Sequence, residues 1–249
     1  MLLVHGWPQH WWEWRLVIGD LARTHRVICP DLRGFGWSDA PPGDYAKATL
    51  AGDLLGLLDA LGVRRLPVIG HDWGGWIAFL LALRAPERVS GLLALSAPHP
   101  WYRTRRSPQA PLFASYQLLL STPWAGERVL RHAPGFVERL IALGAARREH
   151  LGPAELARYS SVLRDPARAA ASSALYRTFL TREAPRRGAL GPLTVPASVV
   201  IGAEDAILRA VEVDPRPDVT VELVEGAGHF LPEEAPDAVL EHARRLLAR

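Results

Sequence analysis

The sequence predicts an α/β fold: a mostly parallel sheet, helices on both faces, and a helical segment inserted into the chain. Three observations carry this. Short apolar runs alternate with longer amphipathic ones over residues 1–100, and strands alternating with helices imply a parallel sheet covered on both sides. Residues 101–190 break that rhythm, being rich in Ala, Leu and Arg, with prolines at 108, 111, 123, 134, 153, 166 and 185. The strand pattern then resumes and closes on an amphipathic helix. The expected organisation is a core from residues 1–100 and 191–249 with a helical cap at 101–190. A chain of 249 residues is long enough for one core and a lid.

Each element follows from its pattern. Leu2-Leu3-Val4 ends at His-Gly and reads as a strand. Trp11 to Leu21 reads as a helix, and Val27-Ile28-Cys29 as a short strand stopped by Pro30-Asp31. Leu50, Leu54, Leu57, Leu58 and Leu61 recur at helical spacing, with Gly62 placed to cap the end. Leu66 to Ile69 is strand-like. Trp73 to Ala85 is apolar nearly all round, so it reads as a buried helix that stops at Pro86. Gly91–Leu95, Val195–Ile201 and Val219–Val224 are strand-like, and Ala235–Leu247 is an amphipathic helix. The stretch 101–190 reads as several helices with no strand.

Composition narrows the function classes. The formal charge is +3, Lys47 is the one lysine, and the arginines are spread in pairs such as Arg64-Arg65, Arg105-Arg106 and Arg186-Arg187. Such pairs read as solvated surface, and nucleic-acid binding is not suggested. Cys29 is the one cysteine, which excludes an intramolecular disulfide and zinc-type spacing; it reads as a small buried residue. No apolar run reaches membrane-spanning length, and the N-terminus lacks the basic region of a signal peptide. A cytoplasmic protein without a membrane or nucleic-acid partner is expected, as a monomer or homodimer.

The most informative segment is Gly70-His71-Asp72-Trp73-Gly74. A strand running into Gly-x-nucleophile-x-Gly and then a helix is a nucleophile elbow, whose strained turn demands small neighbours. The bland alternative is that Asp72 only caps the next helix; the strand before it and buried helix after it favour the nucleophile. An aspartate attacks through its carboxylate and forms an ester. In this arrangement the acid and histidine follow in chain order. Gly202-Ala203-Glu204-Asp205 and Gly226-Ala227-Gly228-His229 both follow strands, where sites form in open α/β sheets. His229 is the candidate base and Asp205 the carboxylate that orients it, with Glu204 the competitor. The backbone N–H groups of Trp7 and Trp73 are the candidate oxyanion donors.

These motifs resemble a known family. His5-Gly6-Trp7-Pro8, the run from Asp31 to Ser38, Gly70 to Gly75, Gly202 to Asp205 and Gly228-His229 together look like the epoxide hydrolases of the α/β-hydrolase fold. The resemblance covers nearly the whole chain. It implies hydrolysis of a small apolar epoxide by water to a vicinal diol, through an alkyl ester on Asp72, with no metal or organic cofactor. It also implies two cap tyrosines that hold and protonate the epoxide oxygen. Ser115-Tyr116-Gln117-Leu118 and Ala174-Leu175-Tyr176-Arg177 match those contexts, and Tyr116, Tyr176, Trp7 and Trp73 are the expected substrate contacts. Tyr102 and Tyr159 are read as structural.

Two other readings stay open. Haloalkane dehalogenases share most of these motifs, but those of the commonest type often carry Asn where Trp7 stands. Fluoroacetate dehalogenases typically have Arg where Trp73 stands. A non-catalytic ligand-binding protein on the same scaffold is the second. The family has two strands before His-Gly, whereas only Met1 to Val4 precede it here. N-terminal strands are apparently missing, and an uncovered sheet edge is expected.

Overall fold

The computed structural model describes residues 1–104, 110–185, 190–208 and 211–248. The arginine pairs at 105–106 and 186–187 lie outside these. Five strands form one parallel sheet: β1 (Leu2–Val4), β2 (Leu66–His71), β3 (Val89–Leu95), β5 (Ala197–Gly202) and β7 (Val219–Val224), side by side in that order. A separate antiparallel pair joins β4 (Arg103–Thr104) to β6 (Val211–Glu212).

The period-two rule decides which face each strand residue covers. Leu2 and Val4 enter one core with Val68, Leu92, Ala94, Ala197 and Val199. Leu3 enters the other, with Ile69, Leu93, Leu95 and Val200. Both faces are buried, which is why these strands read as unbroken apolar runs. The first core is covered by α2 (Lys47–Ala60), α3 (Trp73–Arg84) and part of the inserted helices. The second is covered by α1 (Arg15–Ala22), the short α9 (Leu231–Glu234) and α10 (Pro236–Leu247).

Residues between β3 and β5 form five α-helices among those described: α4 (Ala110–Ser121), α5 (Ala125–His132), α6 (Pro134–Gly144), α7 (Pro153–Val162) and α8 (Pro166–Thr178). The last continues into a π-helical turn at Phe179–Glu183. Proline opens α6, α7 and α8, where its missing N–H costs nothing. No helix among the described residues is long and apolar enough to cross a membrane.

The structure corrects several sequence expectations. The segment Trp11–Leu21 is two pieces, a 3-10 turn over Trp11–Trp14 and then α1. Val27–Cys29 forms only a single parallel bridge, from Ile28 to Leu2. That bridge nonetheless occupies the outer side of β1, since Leu3 N–H donates to Ile28 O at 2.8 Å and Ile28 N–H to Met1 O at 2.9 Å, so the edge expected to be bare is partly paired. Strand β4 lies where none was expected, because a two-residue strand carries no periodicity. Cys29 is half-buried, with its Sγ 3.8 Å from Trp11 O.

Candidate active site

Four strand ends converge. Trp7 follows β1, Asp72 follows β2, Asp205 follows β5 and His229 follows β7, so all sit at the carboxyl edge of the sheet. Asp72 has φ 49° and ψ −121°, a region L-residues rarely adopt, costing on the order of 1–3 kcal/mol. Its surroundings force the glycines around it. A Cβ on Gly6 would lie 2.4 Å from Asp72 Cβ, and one on Gly74 would lie 2.1 Å from Val4 O. The elbow is therefore wedged between the end of β1 and the start of α3.

The carboxylate of Asp72 meets two of the predicted partners. The N–H of Trp7 donates to its Oδ2 at 2.9 Å, and Nε2 of His229 lies 3.5 Å from its Oδ1. Asp72 does not cap α3 through its side chain, which removes the bland alternative. Nδ1 of His229 lies 2.9 Å from Asp205 Oδ2. The other oxygen of Asp205 accepts from the N–H groups of Ile207 and Leu208, at 2.9 and 3.0 Å. Asp205 is buried and Glu204 exposed, and of the two it is Asp205 that lies against the His229 ring.

The backbone of His229 is held as firmly as its ring. Its N–H donates to Gly144 O at 2.9 Å. Glu234 collects the N–H groups of Ala146, Arg147, Gly228 and Phe230, each at 2.8 Å. One buried carboxylate thus joins the turn bearing His229 to the loop between α6 and α7, and charge-assisted bonds of this kind are the strong ones.

Tyr116 on α4 and Tyr176 on α8 come together over Asp72. Their rings are 5.9 Å apart and nearly perpendicular, and their hydroxyls share a hydrogen bond. With Trp7, Asp72 and His229 they line a cavity of about 20 Å³, closed by Leu140, Ile141, Ile207 and Phe230. That is room for one water-sized group. Burial, reinforced by the Asp72 carboxylate, pushes the Tyr116 phenol up to about 12. Burial also raises Tyr176 well above the ordinary phenol range, helped by Tyr116 and Asp72. Both therefore keep their protons at neutral pH.

Trp73 is placed differently from expectation. It does not line this cavity, and among the described residues the Asp72 carboxylate accepts from the Trp7 N–H and not from that of Trp73. As the first residue of α3, Trp73 directs its indole toward α8. There it packs edge-on against Tyr176 and Phe179, at 5.8 and 4.7 Å. Lys47 was missed entirely as a structural centre. Its ammonium is fully buried, 4.3 Å over the Trp73 ring, donates to Leu175 O at 2.8 Å and forms an ion pair with Glu183 Oε2 at 2.9 Å. Of the tyrosines read as structural, Tyr159 donates to Glu233 Oε1 at 2.9 Å, and Tyr102 packs edge-on against Trp76.

The charges give a testable pH dependence. Burial opposes a charged His229 ring, but Asp205 and then Asp72 outweigh it and push it from 6.5 to about 10. Folded protein keeps a proton there that the unfolded chain releases above 6.5, so this stabilisation is complete below that pH and is lost as pH rises through about 10. Burial pulls Lys47 down to about 8 against the opposing pull of Glu183. That group acts in reverse: stability rises between pH 8 and 10.5, where the folded protein has already released the lysine proton and the unfolded chain still holds it. The expected result is a Tm that falls between pH 6.5 and 8 and flattens above, with a smaller fall in His229→Gln, measured by scanning calorimetry.

Residues 1–236 match the family described as alpha/beta hydrolase fold. Human epoxide hydrolase 4 is 31% identical over 96% of this chain and 69% of its own. The soluble epoxide hydrolase of Corynebacterium sp. (strain C12) is 31% identical, over 100% of this chain and 90% of its own. Among solved structures, the epoxide hydrolase CorEH without ligand is 30% identical with a TM-score of 0.86, covering 99% of this chain and 90% of that one. The chain belongs to the epoxide hydrolase family of the α/β-hydrolase fold.

Proposed function

We propose that the protein hydrolyses an apolar epoxide to a vicinal diol, with Asp72 as nucleophile, His229 as base and Asp205 as its orienting acid. The observation that carries this reading is the pair of protonated phenols sharing one small cavity with the Asp72 carboxylate. A carboxylate alone does not choose between an epoxide and a halide. Two neutral O–H donors suit an oxygen that becomes an alkoxide, and the apolar lining suits an apolar substrate. Residues 101–190 serve as the cap that brings these phenols over the core. Trp7 is a substrate contact, and Trp73 acts behind Tyr176.

The steps balance in atoms and charge. An Asp72 oxygen attacks a ring carbon, the ring C–O bond breaks, and the alkoxide takes a proton from a phenol. The protonated His229 returns a proton to that phenolate and becomes neutral. This is where its high proton affinity matters: esterified Asp72 has lost its charge, so the ring then gives up its proton more readily. Neutral His229 takes a proton from water, and the hydroxide attacks the Asp72 carboxyl carbon. The Trp7 N–H, already aimed at this carboxyl group, stabilises the oxyanion. Collapse releases the diol alkoxide, which takes the proton of the newly formed carboxylic acid. Asp72 is again a carboxylate and His229 again protonated.

The test pairs a diol assay on terminal aryl epoxides with a halide assay on bromoalkanes. Diol without halide is expected, and halide release as the dominant reaction would replace this reading with a dehalogenase. His229→Gln incubated with the epoxide should retain the substrate's mass on Asp72, by peptide mass spectrometry.

A further inference from the structure

His71 stands one residue before the nucleophile, and its ring is fully buried. Its Nε2 lies 2.9 Å from the carbonyl oxygen of His229. A carbonyl only accepts, so Nε2 carries the proton. Its Nδ1 lies 3.2 Å from Oε2 of Glu13, whose side chain is also fully buried. One imidazole therefore ties the nucleophile turn to the backbone of the base, and one carboxyl group backs that imidazole. The mechanism above uses neither group.

The contact between Nδ1 and Glu13 contains one proton. It sits on the imidazole beside a carboxylate, or on the carboxyl beside a neutral ring. Both arrangements are net neutral, and both keep the Nε2 donor. Losing that proton would leave an uncompensated buried carboxylate, which is costly. Burial accordingly pushes Glu13 up to about 7 against the pull of His71. Burial works against a charged His71, but the Glu13 carboxylate overcomes it and raises the ring.

We propose that Glu13 and His71 are positioning residues for His229: they fix its turn through the carbonyl and set a shared proton behind its ring. The inference rests on the reading of His229 as the base. The rings of His71 and His229 are 5.3 Å apart, so positive charge on His71 disfavours a second positive charge on His229. The groups facing this cluster are Asp72, Asp205 and His5 around the two rings, and Glu233, Tyr159 and Cys29 around Glu13. Asp205 and Asp72 favour a protonated His229. Burial opposes them, and a charged His71, which is mutually repelled by His229 across 5.3 Å, adds to that opposition and limits how tightly the proton is held once Asp72 is esterified.

Glu13→Gln tests this, because the amide keeps the size, donates to Nδ1 and locks His71 neutral with its Nε2 proton in place. The first readout needs no substrate. Nitrogen-15 NMR titration of the His229 ring should move to higher pH by at least about half a unit. In single turnovers with the epoxide, the rising limb of ester hydrolysis against pH should move the same way, while ring opening changes less than about twofold. His71→Gln, whose longer amide can place an N–H where Nε2 stood but has no proton to share with Glu13, should reproduce the NMR shift. An unmoved His229 titration in either folded variant, whatever the change in Tm, overturns the proposal. Should no ester form in the parent protein, the epoxide reading fails, and the NMR shift still decides the role of the pair.

Discussion

Asp72→Ala should abolish diol formation, by on the order of 10⁴-fold or more, while leaving a folded protein. Removing the atom that forms the covalent bond leaves only the positioning of water and substrate, and triad knockouts of this kind retain little more than that. The fold should survive because the turn does not use the carboxylate as a helix cap. The glycine contacts that shape the elbow involve main-chain atoms of Val4, His5 and Gly74 and the Cβ of Asp72, all of which alanine leaves in place. What is lost is the bond from the Trp7 N–H at 2.9 Å and the contact with His229 at 3.5 Å. Diol release by chromatography, with circular dichroism to confirm folding, checks both halves. Activity within tenfold of the parent would sink the covalent mechanism.

Tyr116→Phe combined with Tyr176→Phe should slow ring opening by at least about 10³-fold, the scale of a lost general acid. The double variant is more informative than either single one. The two hydroxyls are bonded to each other, and each has a further side-chain partner, Gln117 for Tyr116 and the Trp73 indole for Tyr176, so removing one leaves the other a held donor that can still serve the substrate oxygen. Removing both partners of a buried hydrogen bond is close to neutral for stability. The ring contacts stay, among them the edge-on packing of Trp7 on Tyr176 at 5.2 Å. The expected outcome is a folded protein, its Tm lowered only by the partner that the Trp73 indole loses, with no burst of alkyl-enzyme, read by rapid quench and mass spectrometry. A full burst would show that the phenols do not serve the epoxide oxygen.

What the sequence revealed and what it hid divide along physical lines. Asp72, His229 and Asp205 were legible because each stands in a Gly-containing turn at a strand end, and both the strands and the glycines have local signatures. Trp7 was legible for the same reason. Tyr116 and Tyr176 had no local signature as donors and were placed by resemblance alone. Glu13, Lys47 and Glu234 were invisible as structural centres, since a charged residue in a helical pattern reads as surface. Their burial is created by elements far away in the chain: Glu13 meets His71 across 58 positions, and Lys47 meets Glu183 across 136. The split of Trp11–Leu21 and the two-residue β4 were hidden because hydrophobic period cannot distinguish a 3-10 turn from helix, or a pair of residues from a loop.

The buried position of the one lysine has a practical consequence. An ammonium sealed between α2, α8 and the Trp73 indole is out of reach of amine-acylating reagents while α8 is seated. The chain therefore carries a natural chemical clock. Its side-chain acylation, followed by peptide mapping to separate it from reaction at the terminal amine, proceeds only as fast as α8 lifts from α2. A ligand that holds Tyr176 down should slow that clock, and the ratio of labelling rates with and without it would measure how often α8 lifts when no ligand is bound.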